Sequence, residues 1–266
     1  MNYKEIDGIK IYNPEILDEH KDFDAKHLDK LYEAENNLFW SIYRKQYILE
    51  KFNYFINKES NIIEIGAGTG NVSRYLIENG FKNISVGEMH MNGLRYAQTY
   101  GITNCYQFDL LKSRLENVFD VVAMFDVLEH IEDDRLALKQ CYNMITSDGY
   151  LVIVVPSHMW LWNRSDRIVG HKRRYEKREL LEKVESAGFK AVEVKYFFLL
   201  LTPLLFIRKL IDRDDGSEVR KDEEFKYMNL SKFTNRVLSF ICYMDKKLER
   251  YLPNICGGSL FIIGKK

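Results

Sequence analysis

Residues 64–70, EIGAGTG, place glycines at 66, 68 and 70 directly behind a run of β-forming residues. Glycines at such a point permit a tight turn and let a ligand approach the backbone, and the free N–H groups of a following helix favour an anion. A dinucleotide fingerprint wants its third glycine at position 71, where this chain has Asn71. Two acids extend the pattern. Glu88 ends a second β-rich run, where a carboxylate can accept both hydroxyls of a ribose, and Asp109 ends a third, where one could accept an adenine amino group. Singly, each reads equally well as a solvated strand-end acid; Glu64, Glu88 and Asp109 at three successive strand ends make a less accidental set. A second cluster lies in HMWLWNRSDRIVGHKRRY (158–175). His158 and His171 have the type to move protons, and the guanidinium forks of Arg173 and Arg174 suit phosphate or carboxylate. The plainer alternatives are a histidine that only positions its loop and a solvated basic face, to which Lys177 and Arg178 are assigned.

These residues need elements that bring strand ends together. β-rich runs at 61–66, 83–88, 104–109, 119–126, 149–156, 189–196 and 257–265 alternate with helical patterns at 71–80, 91–100, near Asp133 and Asp134, and at 177–188. That rhythm predicts an α/β fold, an open, mostly parallel sheet with helices on both faces. Ligands of such sheets sit beyond the carboxyl ends of the strands. Residues 1–20 lack periodicity and read as an irregular arm, and 22–57 read as helix, so 1–57 is expected to form a helical N-terminal arm or lid. Residues 58–266 form the main domain, with a helical insertion at 197–255 that includes a charged stretch from Asp212 to Glu224.

Thirty-nine basic and thirty-nine acidic residues cancel, so no global field favours nucleic acid or an anionic membrane. Cys105, Cys141, Cys242 and Cys256 are scattered without metal-ligand spacing, which predicts no metal site and suits a reducing, cytoplasmic compartment. The first residues lack the apolar core of a signal peptide. The apolar stretch Tyr196 to Ile207 is too short to span a bilayer, so integral membrane association is not expected. It is expected to be a core helix capping the substrate pocket. An interfacial helix in peripheral membrane contact is the alternative, because Arg208, Lys209 and Arg213 follow.

EIGAGTG, the Gly87-Glu88 pair, Phe108-Asp109 and FDVVAMFDVLEHIEDD (119–134) resemble the successive motifs of class I S-adenosylmethionine-dependent methyltransferases, over roughly residues 60–195 plus the last strand. The resemblance implies a Rossmann-like sheet of seven strands with the last antiparallel. It implies that Glu64, Gly66, Ala67, Gly68 and Gly70 surround the methionine part of S-adenosylmethionine. Glu88 with Met89 would hold the ribose and Asp109 with Leu110 the adenine, while Phe125 and Asp126 would line the side of the reactive methyl. The flanks ENNLFWSIYR (35–44) and VPSHMWLWNRSDRIVGHKRRY (155–175) resemble a bacterial subgroup associated with glycan and cell-surface polysaccharide biosynthesis. Its members commonly carry a histidine-tryptophan pair where this chain has Phe39-Trp40.

Methyl transfer from a sulfonium requires the acceptor within about 3–3.5 Å of the methyl, and a hydroxyl acceptor benefits from a base. His171 is the favoured base, with His158 and Asp126 as further catalytic candidates; His130 is assigned packing or capping. Arg173, Arg174 and Tyr175 are expected to hold a small, anionic or sugar-like acceptor. Trp40 and Tyr43, with Phe39 and Arg44, are expected to close over the site unless they form a packed helix face. The expected reaction is O-methylation of a sugar or phosphorylated glycan precursor. The rivals are N-methylation of a small molecule, an NAD-dependent oxidoreductase on the same fold, a non-catalytic cofactor-binding subunit and a membrane-surface binding module.

Overall fold

The structure, a computed structural model, describes residues 3–16, 19–20, 23–214, 216–217 and 230–266. In chain order the first elements are β1 (Lys4–Ile6), β2 (Ile9–Ile11), the two-residue pair β3 (Glu19–His20) and β4 (Phe23–Asp24), and helices α1 (Ala25–Ala34) and α2 (Phe39–Phe55). The alternating part follows as β5 (Asn61–Ile65), α3 (Asn71–Glu78), β6 (Asn83–Glu88), α4 (Met91–Thr99), β7 (Asn104–Gln107), β8 (Phe119–Phe125), α5 (Asp134–Met144) and β9 (Ile145–Pro156). Then come α6 (Arg164–Ile168), α7 (Lys177–Ser186), β10 (Lys190–Phe197), α8 (Thr202–Ile211), α9 (Lys232–Leu248) and β11 (Ser259–Lys265).

One sheet of nine strands runs β1-β2-β7-β6-β5-β8-β9-β11-β10. Strands β5 to β9 are mutually parallel, and β11 inserts antiparallel between β9 and β10. The seven strands expected are all present; the sheet is wider because residues 4–11, read as irregular, form a hairpin that adds β2 parallel to β7. The cause is local. Asp7 and Gly8 both adopt positive φ, the geometry of a tight hairpin turn, and Ile9 and Ile11 bury against the sheet edge. The single helix expected over 22–57 is two, α1 and α2, broken at residues 35–38.

Strand order reverses between β5 and β8, so the carboxyl ends of β5, β6 and β8 open onto one crevice. Along β8 the side chains alternate between two cores. Val121, Ala123 and Phe125 join Ile48 and Phe52 of α2, while Phe119, Val122 and Met124 join Leu138 and Cys141 of α5. Burial on both faces explains the near-continuous Val and Ile runs that made these strands legible.

The apolar stretch Tyr196 to Ile207 divides. Tyr196, Phe197, Phe198 and Leu201 are buried, whereas Leu204, Phe206, Ile207, Leu210 and Ile211 of α8 are exposed. The burial expected is met by residues 196–201, but these are the end of β10 and the turn after it, while α8 beyond Thr202 is largely exposed, so the expected core helix is corrected to a buried strand end followed by an exposed helix. Helix α9 packs on α2, and Tyr43 donates from its hydroxyl to buried Asp245 at 2.9 Å. Residues 218–229, and with them part of the charged stretch Asp212 to Glu224, lie outside the described residues. No helix among the described residues is long and apolar enough to cross a membrane.

Candidate active site

The glycine turn joins β5 to α3, and Gly66, Gly68 and Gly70 all have positive φ. Gly66 shows why no side chain fits: a Cβ there would lie 2.6 Å from Val127. Glu88, at the carboxyl end of β6, gathers this turn. One carboxylate oxygen accepts from Gly68 N at 2.9 Å and the other from Met89 N at 2.7 Å and His90 N at 3.2 Å. A carboxylate offers about four lone-pair positions, so with three backbone donors bound Glu88 keeps capacity for about one further donor of a ligand. The three-glycine cradle and the carboxylate beside it have the backbone geometry and acceptor chemistry that suit a nucleoside-bearing cofactor.

Glu64 and Asp109 are placed differently from one another. Glu64 is buried, and one of its carboxylate oxygens accepts from Ser73 N at 3.0 Å and Ser73 Oγ at 2.5 Å. Burial pushes its carboxyl up to about 7 against the opposing hydrogen bonds from Ser73. Through Ser73 it pins the start of α3 behind the turn and so supports the cradle. Asp109 lies one strand over from Glu88; its carboxylate accepts from Leu111 N at 2.9 Å and its backbone N–H donates to Asn13 Oδ1 at 3.1 Å. Ala67 and Leu110 are buried, and Met89 stands partly exposed beside Glu88.

Asp126 follows β8 with φ 57°, and its carboxylate is ion-paired with Arg44 of α2. Arg44 also lies over Trp40, 5.1 Å from the ring centroid. Phe125, by contrast, is buried and meets Phe52 edge-on at 6.2 Å, so its side chain faces the core rather than the crevice. Tyr43 is buried with its hydroxyl committed to Asp245, which removes it from the acceptor side. Of the expected lid, Arg44 and Trp40 remain at the site and Tyr43 packs.

The loop after β9 is more ordered than its sequence suggested. Asn163 and Asp166 form a reciprocal cap on the short helix α6, the N-x-x-D signal of a helix start. Asp166 is buried, and burial alone would raise its carboxyl, yet the hydrogen bond from His171 and the charge of Arg174 outweigh that and hold it low. His171 Nδ1 sits 2.8 Å from Asp166 Oδ1, leaving Nε2 3.7 Å from Glu129 Oε1. Glu129 is fully buried on the turn after β8, and desolvation, reinforced by the charge of Asp126, pushes its carboxyl well up. His130 meets His171 edge-on at 4.8 Å. Sequence spacing could not find the Glu129–His130–His171 group, because 41 residues separate His130 from His171 and only the fold joins them.

The remaining residues of this loop are internally committed. Arg173 donates to Asp134 at 2.8 Å and to Glu132 O at 3.0 Å; Arg174 donates to Asp166 at 2.8 Å and to Ser157 O at 3.3 Å. Tyr175 is fully buried, its hydroxyl 2.9 Å from Asp134. Each of the three side chains is thus tied to a buried carboxylate, Asp134 or Asp166, which gives it a structural role in the loop. His158 Nδ1 pairs with Glu176 at 2.9 Å and its ring stacks on Tyr196 at 4.8 Å, which makes it a buried support of the loop.

Residues 39–194 match the methyltransferase domain family. The ubiquinone biosynthesis O-methyltransferase of Rickettsia felis is 27% identical over 117 residues, 41% of this chain and 48% of that protein. The chain thus spans about half the length of the curated relatives it matches. A SAM-dependent methyltransferase of Thermotoga maritima superposes with a TM-score of 0.55 at 17% identity, covering 91% of this chain and 95% of that one. Phosphoethanolamine N-methyltransferase 2 of Haemonchus contortus, solved with S-adenosyl-L-methionine, gives 0.54 at 16% identity, covering 84% and 52%. With more than half of its length matched, the chain belongs to the methyltransferase domain family.

Proposed function

We propose that this methyltransferase, whose methyl donor is S-adenosylmethionine, methylates a hydroxyl oxygen of a sugar-like acceptor. The observation that carries the reading is the position of Glu88, bonded to Gly68 N beside the glycine cradle, with Asp126, Glu129 and His171 grouped past the end of the adjacent strand β8. The cofactor supplies an electrophilic sulfonium methyl. Glu88 holds the ribose, Asp109 faces the base, and Gly66 to Gly70 lie against the remainder. Arg44 and Trp40 of α2 close the crevice, excluding water and orienting the acceptor. The curated relatives are named as O-methyltransferases, which supports oxygen over nitrogen as acceptor. The flanking segments 35–44 and 155–175 support a glycan precursor. The internal commitment of Arg173 and Arg174 favours a neutral sugar ring over its phosphate as the recognised part.

A phenolic hydroxyl on a lipid is the second reading, in line with the names of those relatives. It is favoured by the exposed rings of Trp160 and Phe206, 6.0 Å apart beside the loop, which suit an apolar tail. A panel of nucleotide sugars, sugar phosphates, lipid-linked sugars and catechols, scored for methylated product by mass, decides between them. Methylation confined to amines would overturn the oxygen assignment.

A further inference from the structure

Beside the cofactor cradle, three side chains with metal-binding atoms converge. Glu129 and His130 come from the turn after β8 and His171 from the loop between α6 and α7, and their donor atoms all lie within 4.8 Å of one another. Glu129 is 0% exposed, and neither of its carboxylate oxygens has a hydrogen-bond partner among the described residues. An ionised carboxylate without hydrogen bonds at that depth is unfavourable unless a cation compensates it. His171 is oriented for the purpose. Its Nδ1 is held by Asp166, which Arg174 and Asn163 N fix in turn, so Nε2 is directed to Glu129. A carboxylate behind a histidine is the usual support of an imidazole ligand.

We propose that Glu129, His130 and His171 bind a divalent transition cation whose open positions take the acceptor hydroxyl. Two imidazoles and one carboxylate form the ligand set of sites that keep coordination positions free, for zinc, manganese or iron(II). Bonds of about 2.0–2.2 Å in a tetrahedral or facial arrangement bring donor atoms to about 3–3.6 Å of one another, so the widest pair closes in by about 1–2 Å on binding. The cation polarises the coordinated hydroxyl; the O–H bond breaks heterolytically, the proton passes to water, and the electron pair stays on oxygen. His171 then acts as a ligand, since the lone pair a general base would use is given to the metal. What the cation does rests on the hydroxyl-acceptor reading; whether it binds does not.

The test is calorimetric titration of the chelator-treated full chain with Mn²⁺ and with Zn²⁺, alongside the visible absorption of the Co²⁺ form. One equivalent per chain is expected, with at least about tenfold weaker binding in Glu129→Gln and His171→Ala and unchanged S-adenosylmethionine affinity in both, which also certifies their folding. Should either variant fail to fold, the Co²⁺ spectrum of the unaltered chain still reports nitrogen and oxygen ligands at low coordination number. Absence of saturable binding, or binding indifferent to both substitutions, overturns the site. Full methylation of a hydroxyl in excess chelator also overturns it while leaving the O-methyl reading intact. Stoichiometric cation binding sensitive to both substitutions, in a chain that methylates no hydroxyl, supports the site and instead removes that reading.

Discussion

At the scale of single residues, the glycine turn and the strand-end acids were the legible part. Glycines and strand-end acids announce themselves because backbone geometry demands one and strand termination exposes the other. Glu88→Ala should weaken S-adenosylmethionine binding by about 1–3 kcal/mol, the cost of unpaired polar groups, measured by calorimetry; unchanged affinity would remove Glu88 from the cradle. The acceptor side was less legible, because residue type does not reveal how a side chain is already spent. Arg173, Arg174 and Tyr175 have the right chemistry for a ligand, yet Asp134 and Asp166, both buried, absorb it. His171→Ala, which removes one ligand of the proposed cation, should lower turnover at least about tenfold with cofactor affinity unchanged. Arg173→Ala should act chiefly on stability, lowering the melting temperature with little effect on the acceptor's KM. A large rise in KM at constant stability would return Arg173 to the substrate.

At the scale of elements, the parallel strands were read within about two residues except that β9 starts four residues earlier than expected, at Ile145, whereas the N-terminal hairpin was missed although Asp7-Gly8 between alternating isoleucines signals one. Helix α4 offers a sharper test of how elements meet. Gly93 lies in its first turn, and a Cβ added there would fall 2.4 Å from Gly68 O. Alanine is the better helix former by about 1 kcal/mol, so local propensity predicts stabilisation. Close approach predicts the reverse, a loss of about 1–3 kcal/mol from overpacking with displacement of the glycine turn and weaker cofactor binding. Thermal unfolding and calorimetry of Gly93→Ala separate the two, and an increase in melting temperature would refute the packing argument. The division of the Tyr196–Ile207 stretch had no signal in the sequence, since burial there depends on how far α8 runs past the sheet edge.

For the molecule as a whole, two buried carboxyls tie stability to pH. Glu64 and Glu129 both have folded-state values raised above those of the unfolded chain. The folded state therefore binds more protons than the unfolded state between their unfolded value and the raised one. Their contribution is fully present below about pH 4.5 and is lost as pH climbs; for Glu64 the window runs from there to about 7. Denaturant unfolding across pH 4.5–7.5 should show Glu64→Gln with a flatter pH dependence than the unaltered chain; an identical slope would exclude Glu64 as a source. A bound divalent cation at Glu129 would oppose the trend by favouring its ionised form, so the same titration repeated with and without Mn²⁺ should diverge towards neutral pH.

The place of β11 between β9 and β10 has a consequence for synthesis on the ribosome. β9 is complete at Pro156, but the strand that covers its open edge begins only at Ser259, and β10 reaches the sheet through β11. At about 5–20 residues per second, roughly a hundred further residues leave that edge bare for several seconds to some twenty. Through that interval Val152, Val154 and Val155 present an unpaired apolar border, so a translation pause between the codons for Tyr196 and Ser259 should increase aggregation of the nascent chain far more than one placed before β9.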